Sequence, residues 1–263
     1  MLKNKPSTIL LTGATGKLGT IFLSNLLENG HQVIITSRKT NKLAPILKTF
    51  TKYTKAKKLL GLAVDLTAPN ASAHLIAFFT KQKCWPHTII NNARSIDHLK
   101  MGRHGMPTRK DWLGEFLLDV VVPFELSMNV VLHKNSKLKN IINIASMYGV
   151  VAANPKLYDD PEQDSPIQYS VAKAALIHLT KELAVRLAPK GIRVNCISYG
   201  GVEGRNDSKF LKRYSQLCPI GRMLKDDDVY GAIEFLDSEK SQGVTGHNLI
   251  VDGGWSIWYK PGI

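Results

Sequence analysis

The sequence predicts an α/β fold: a doubly wound parallel sheet of about seven strands with helices on both faces, formed by one domain over residues 1–263. Three observations predict it. Short β-branched runs alternate with longer segments of helical periodicity along the whole chain. Each run is long enough for a strand buried under covering helices. The first run leads straight into a glycine-rich turn and then a helix pattern.

Strands are expected at 8–12, 32–36, 59–64, 88–90, 141–144, 193–197 and 248–251. Helical patterns lie between them, among them 18–28, 71–83, 112–132, 167–187 and 226–236. Right-handed crossovers then place ligands at the carboxyl ends of the strands. The stretches 95–109, 154–166 and 200–215 are expected as surface loops around a substrate pocket; the second reads Pro- and acid-rich, NPKLYDDPEQDSP from Asn154.

Apolar residues make up 44% and charged residues 21% of the chain, which suits a globular core and excludes a disordered one. The net charge of +14 is concentrated early: residues 1–60 hold eleven Lys and Arg against the single acid Glu28. Few aromatics accompany the cations between Arg38 and Lys58, so they read as a solvated helix face or an attractor of anionic ligands, with no specific nucleic-acid binding. Cys84, Cys196 and Cys218 are widely spaced, read as reduced buried thiols, and suggest no metal site. The apolar run at 8–12 is too short for a signal core or a membrane span, so a cytoplasmic protein without membrane attachment is expected.

The turn Thr12-Gly13-Ala14-Thr15-Gly16-Lys17-Leu18-Gly19 sits between strand and helix, the context of a Rossmann dinucleotide site. Glycines allow a tight turn and close approach of a pyrophosphate, and the helix N-terminus offers free N–H groups. Gly13, Thr15, Gly16, Lys17, Leu18 and Gly19 are therefore candidate cofactor contacts. After the second strand the chain reads Thr36-Ser37-Arg38-Lys39, with no acid to bind a ribose 2′-hydroxyl. Ser37 and Arg38, with Lys17 adding charge, suit a 2′-phosphate, so NADP(H) is favoured over NAD(H).

Tyr169 and Lys173 lie four apart in a helical segment, on one face. A phenol is a poor acid or base at neutral pH, and a neighbouring ammonium favours its phenolate. Tyr169 is thereby a candidate for exchanging a proton with a substrate hydroxyl or carbonyl. Alone, this spacing is common; its company is not.

In order along the chain stand TGATGKLG at 12–19, Asp65-Leu66, Asn91-Asn92-Ala93, Ser146, YSVAK at 169–173, IRVNCIS at 192–198 and VTGHNLIVDGG at 244–254. Over nearly its whole length the chain resembles a short-chain dehydrogenase/reductase. The resemblance implies hydride transfer to or from a nicotinamide cofactor, with catalytic roles for Ser146, Tyr169, Lys173 and, at the position of the family's active-site Asn, Asp119. It implies that Asp65 and Leu66 flank the adenine, that Asn91 and Ala93 line the cofactor cleft, and that Lys173 also binds the nicotinamide ribose. Gly200 and Val202 would pass the carboxamide. Met147 and Tyr148, directly after Ser146, would meet the substrate. A homodimer or homotetramer built on the helices 112–132 and 167–187 is implied as well.

Four departures mark this chain. Lys17 stands where the commoner glycine spacing has its middle Gly. Arg94 replaces the Gly of an NNAG motif and is placed to meet an anionic substrate. Asp119 stands in place of the family's Asn; Asp accepts the same hydrogen bonds but, ionised, donates none. Tyr199 replaces the Pro of a Pro-Gly pair and is expected at the cofactor or substrate. The MYGVVAANPKLYDD, GGVEGRN and DGGWSIW stretches are similar to members linked to flagellin or surface-sugar modification, which implies a sugar phosphate or nucleotide sugar met by Arg94, Arg103 and Arg205. The rival reading is a non-catalytic NADP(H)-binding sensor or partner subunit.

Overall fold

Seven parallel strands form one sheet in the order β3-β2-β1-β4-β5-β6-β7 in the computed structural model, which describes residues 6–204 and 206–258. The strands are β1 Thr8–Leu11, β2 Gln32–Ser37, β3 Leu59–Ala63, β4 Thr88–Asn91, β5 Asn140–Ser146, β6 Arg193–Tyr199 and β7 Asn248–Val251. All seven expected strands are present, displaced by at most two residues at an end. The order reverses between β1 and β4, so a crevice opens at their carboxyl ends.

The apolar runs divide their side chains between the two faces. Ile9 and Leu11, Val33 and Ile35, and Ile142 join one cluster with Phe22, Leu23, Leu26 and Leu27 of α1 (Lys17–Glu28) and Ile233 and Leu236 of α10 (Tyr230–Asp237). Leu10, Ile34, Ile89 and Ile141 point the other way, onto Leu75 and Phe79 of α4 (Ala71–Gln82), Leu126 and Val130 of α6 (Val122–Leu132) and Leu183 and Leu187 of α8 (Ile167–Leu187). Each such side chain contributes roughly 1.5–3 kcal/mol by leaving water. That is why the centres of these runs, such as Ile9–Leu11 and Val33–Ile35, are apolar on both faces.

Four helices lie outside the patterns named from sequence: α2 (Thr40–Thr49), α3 (Thr51–Lys55), the short α7 (Pro161–Asp164) and α9 (Ser208–Leu217). Pro45 sits inside α2, where a helix is not expected, and α9 buries only Tyr214. The expected loop 200–215 therefore ends at Asp207, whose carboxylate caps α9 by accepting from Phe210 N–H at 2.8 Å. In the 154–166 stretch a short helix, α7 (Pro161–Asp164), interrupts the loop.

The expected helix 112–132 is three pieces end to end. α5 (Arg109–Phe116) passes into a π-helical turn, Leu117–Val121, and then into α6. Pro123 supplies the reason: it has no N–H for the Asp119 carbonyl, and its ring crowds that carbonyl. The wider turn absorbs both and carries Asp119 inward.

Candidate active site

The glycine turn and the segment after β4 are tied together at the crevice. Thr12 Oγ1 accepts from the N–H groups of Asn92 and Ala93 at 2.9 and 3.0 Å, while Asn92 Nδ2 donates to the carbonyls of Thr12 and Gly13 at 3.0 and 3.2 Å. Sequence reasoning quoted Thr12 and Asn92 inside motifs but assigned them no role. Gly13 adopts φ +67°, and a Cβ there would lie 2.7 Å from Ala93 Cα; a Cβ on Gly19 would lie 2.2 Å from the Gly13 carbonyl oxygen. The turn closes on itself only with glycine at both places. No side chain caps α1 and no acid stands in its first turn, so its leading N–H groups face outward, available to an anion.

From this turn a cleft of about 560 Å³ runs past Gly13, Thr15, Ser37, Arg38, Asp65 and Leu66 to Ala93, Arg94 and Leu118. That volume is in the range of ligand pockets. Lys39 and Lys42 line it too and, among the described residues, make no ion pair within 4.0 Å. Arg38 pairs with Asp97. Asp65 turns to its neighbour Thr67, accepting from the hydroxyl at 2.7 Å. Lys17 leaves the cleft and pairs with Asp226 at 3.3 Å, so its expected charge is spent elsewhere. Asn91 is buried in the sheet, donating to Asn143 Oδ1 at 2.8 Å, and reaches the crevice mainly as backbone.

At the other end, α8 presents Tyr169 and Lys173 in line with its buried residues Leu176 and Thr180. Ser146 ends β5, opposite Tyr199 in register, and its hydroxyl accepts from Tyr148 N–H at 3.2 Å. The turn after Ser146 lies directly on α8: a Cβ on Gly149 would stand 2.8 Å from the Lys173 carbonyl carbon. Lys173 is 5% exposed and donates to Ile144 O and to Asp119 Oδ1, both at 3.1 Å. Burial pulls its ammonium down, but the charges of Asp119 and the Tyr169 oxygen and the Asp119 hydrogen bond outweigh it, so the net direction is up. Lys173 thus stays charged.

Asp119 is 2% exposed, and its Oδ2 has no hydrogen-bond partner among the described residues. It borders a cavity of about 10 Å³, shared with Thr12, Asn91 and Lys173, with room for one water. One turn earlier stands a residue that sequence reasoning missed. Glu115, 2% exposed, has its carboxyl pushed up to about 7 by burial and by the Asp119 charge, with Arg94 and Lys173 pulling the other way. Its signal in the sequence was the four-residue spacing to Asp119.

Because Glu115 holds its proton in the fold but releases it near pH 4.5 when unfolded, its contribution is fully present below pH 4.5 and lost as pH rises to about 7. Glu115→Gln is expected to abolish that loss, gaining on the order of 2 kcal/mol over wild type on going from pH 5 to pH 8. Urea denaturation at the two pH values measures it; parallel pH dependence of the two proteins would refute it.

Arg94 lies with its guanidinium carbon 4.5 Å from the Tyr169 ring centroid, at the junction of the cleft and α8. Met147 does not line an open surface: it is 3% exposed, inside a small apolar cluster with Leu157, Tyr214, Cys218, Met223 and Trp255. Its long apolar side chain is worth more there than in water. Tyr148 shares a 2.5 Å hydrogen bond with Tyr158 of the acidic loop, and burial pushes its hydroxyl up. Tyr199, expected at the cofactor or substrate, instead packs on Phe22, donates to Val229 O and is 3% exposed within the core. Gly200 closes on Asp252, and Val202 bridges to Leu224. Arg103 is exposed and does not line the cleft, and Arg205 falls outside the described residues.

A depression of about 630 Å³ at the amino ends of β1, β4, β5 and β6 is slightly larger, lined by Lys139, Arg193 and Asp237 among others. Its polar groups hold the fold: Arg193 donates to Leu236 O and Val244 O, and Asp237 accepts from Thr88. Among the described residues no cluster of His, Cys, Asp or Glu is placed to hold a metal ion, all three cysteines are buried and free, and no helix is long and apolar enough to cross a membrane.

Residues 18–256 match a family model described as enoyl-(acyl carrier protein) reductase. The post-translational flagellin modification protein A of Campylobacter coli is 30% identical over 98% of this chain and all of its own length. The chain belongs to the short-chain dehydrogenase/reductase family. A 3-oxoacyl-(acyl-carrier-protein) reductase of Buchnera aphidicola is 29% identical over 96% of this chain and 98% of its own. A short chain dehydrogenase from Leptospira borgpetersenii, solved with bound NAD+, superposes with a TM-score of 0.83 at 29% identity, covering 97% of this chain and 94% of that one. As a short-chain dehydrogenase/reductase the protein is an oxidoreductase, and the crevice at the β1/β4 reversal is where this family's fold binds its ligand.

Proposed function

We propose that this short-chain dehydrogenase/reductase transfers a hydride between NADP(H) and a carbonyl or alcohol carbon of a polar, anionic, sugar-like substrate. The observation that carries the reading is the arrangement around Tyr169: a buried, charged Lys173 behind it and the Arg94 guanidinium over its ring. A nicotinamide dinucleotide, as in the Leptospira relative, fits the chain's own residues. The uncapped α1 N-terminus and the Gly13–Gly19 turn would hold its pyrophosphate, and Ser37, Arg38, Lys39 and Lys42 its adenosine end. Held there, it would supply the hydride to a carbonyl carbon or, when oxidised, accept one from an alcohol carbon.

Tyr169 gives or takes the proton at the reacting oxygen, Ser146 holds that oxygen by its hydroxyl, and Lys173 keeps a positive charge beside Tyr169. The excess of cations at the end of β2 supports a 2′-phosphate, hence NADP(H). Arg94 supports an anionic group on the substrate, and the Campylobacter relative, named for flagellin modification, supports a sugar phosphate or nucleotide sugar. Leu113, Phe124, Val171 and Val185, exposed on α5, α6 and α8, support assembly into a dimer or tetramer through these helices.

NADPH is expected to bind about tenfold more tightly than NADH, and Arg38→Gln to erase that difference. Titrations following reduced-nicotinamide fluorescence measure both, and equal affinities in the wild type would end the NADP(H) reading. For the reaction, sugar phosphates and nucleotide sugars are screened by absorbance of the reduced nicotinamide; turnover confined to uncharged substrates would end the role of Arg94.

A further inference from the structure

Arg38 does not stand free at the end of β2. Its guanidinium lies 2.8 Å from Asp97 Oδ2 and 3.4 Å from Ser95 Oγ, and the Asp97 N–H donates to the same Ser95 oxygen at 3.2 Å. An acid that serves a ribose 2′-hydroxyl in dinucleotide folds usually comes from the end of the second strand. Here a carboxylate arrives at that place from the loop after β4. It lines the same cleft as Arg38, Lys39 and Lys42. The Ser95 hydrogen bond and then the Arg38 charge hold the Asp97 carboxyl below its ordinary range, so it is an anion.

On the reading that this cleft takes the adenosine end of a nicotinamide dinucleotide, we propose that Asp97 sets the cofactor preference by occupying on Arg38 the place of a 2′-phosphate. A 2′-hydroxyl donates to Asp97 and leaves the ion pair intact. A 2′-phosphate competes for the Arg38 fork, and the two anions repel at that range, so the carboxylate has to swing out. Both partners are 53% exposed, and such a pair is weak. Weakness is what a displaceable group needs.

The local structure lets Asp97 move without disturbing the chemistry. Ile96 beside it is exposed, so nothing packs the tip of the loop. The next residue, His98, is fixed at two points. Its ring rests on Gly114 of α5, where a Cβ would come within 2.3 Å of it, and its carbonyl accepts from Gln168 Nε2 at 2.8 Å, next to Tyr169. The swing is therefore confined to 95–97. Asp97 thus tempers an otherwise cationic cleft and leaves NAD(H) a partner in it.

The test titrates NADPH and NADH into the wild-type chain and Asp97→Asn, an exposed substitution that retains the amide for Ser95. The ratio of the NADH to the NADPH dissociation constant is expected to rise about tenfold in the variant, through tighter NADPH and weaker NADH binding. A ratio within twofold of wild type overturns the role of Asp97. A wild type that prefers NADH overturns the NADP(H) reading alone, because a tenfold shift of the ratio in Asp97→Asn would still support the role of Asp97. Failure of either dinucleotide to bind overturns both.

Discussion

Tyr169→Phe is expected to lower turnover by about 10³-fold while leaving cofactor affinity within a few fold, in line with the share of catalysis that a positioned acid or base supplies. The substitution is surgical in this setting. The Phe ring keeps the contact beneath the Arg94 guanidinium and the packing of α8, and Lys173 keeps both of its hydrogen bonds, to Asp119 and Ile144. Only the oxygen that carries the proton is lost. Steady-state rates with the best substrate from the anion screen, paired with a cofactor titration, check it. Near wild-type turnover would remove Tyr169 from the proton transfer, and the non-catalytic cofactor-binding reading would be removed by any measurable Tyr169-dependent turnover.

Asp119→Ala is expected to destabilise the fold by about 3–5 kcal/mol, because it strands the Lys173 ammonium in the interior with a single carbonyl for company. Asp119→Asn is expected to cost only about 1–2 kcal/mol, since the amide oxygen still accepts from Lys173. Two further readouts separate an electrostatic origin from a merely steric one. Removing both charges in Asp119→Ala/Lys173→Met is expected to cost less than the sum of the single changes, as neither charge is then left unpaired. The Glu115 carboxyl should also titrate lower in Asp119→Asn, because the Asp119 charge helps to push it up. Urea denaturation across pH measures all of these; additive single and double costs would show that the contact carries no coupling.

Asp119 is thus more than a hydrogen-bond acceptor for one small cavity. Asp119 meets Lys173 directly, and the pair sits with Glu115 and Arg94 around Tyr169, two acids and two cations in one small region. The charge that orients Lys173 is therefore inside the protein, carried inward by the π turn that Pro123 imposes.

The amino-acid sequence by itself determined the sheet. The cores of the runs, Ile9–Leu11 and Val33–Ile35, are apolar at every position because both faces of the sheet are covered. It also determined the glycine turn, whose positive φ at Gly13 and close contact at Gly19 admit no side chain, and the Tyr169–Lys173 face, which a helix creates from spacing alone. Tertiary structure decided the rest, because the partners come from distant segments. That Arg38 faces Asp97, that Lys17 turns to Asp226, that Asp119 reaches Lys173 and that Tyr199 and Met147 point into the core all depend on which strand lies beside which and on how each loop returns. A charge or a ring in a sequence has chemistry but no partner. Only the packing of the sheet and its helices supplies one, and with it the burial that sets how strongly the pair interacts.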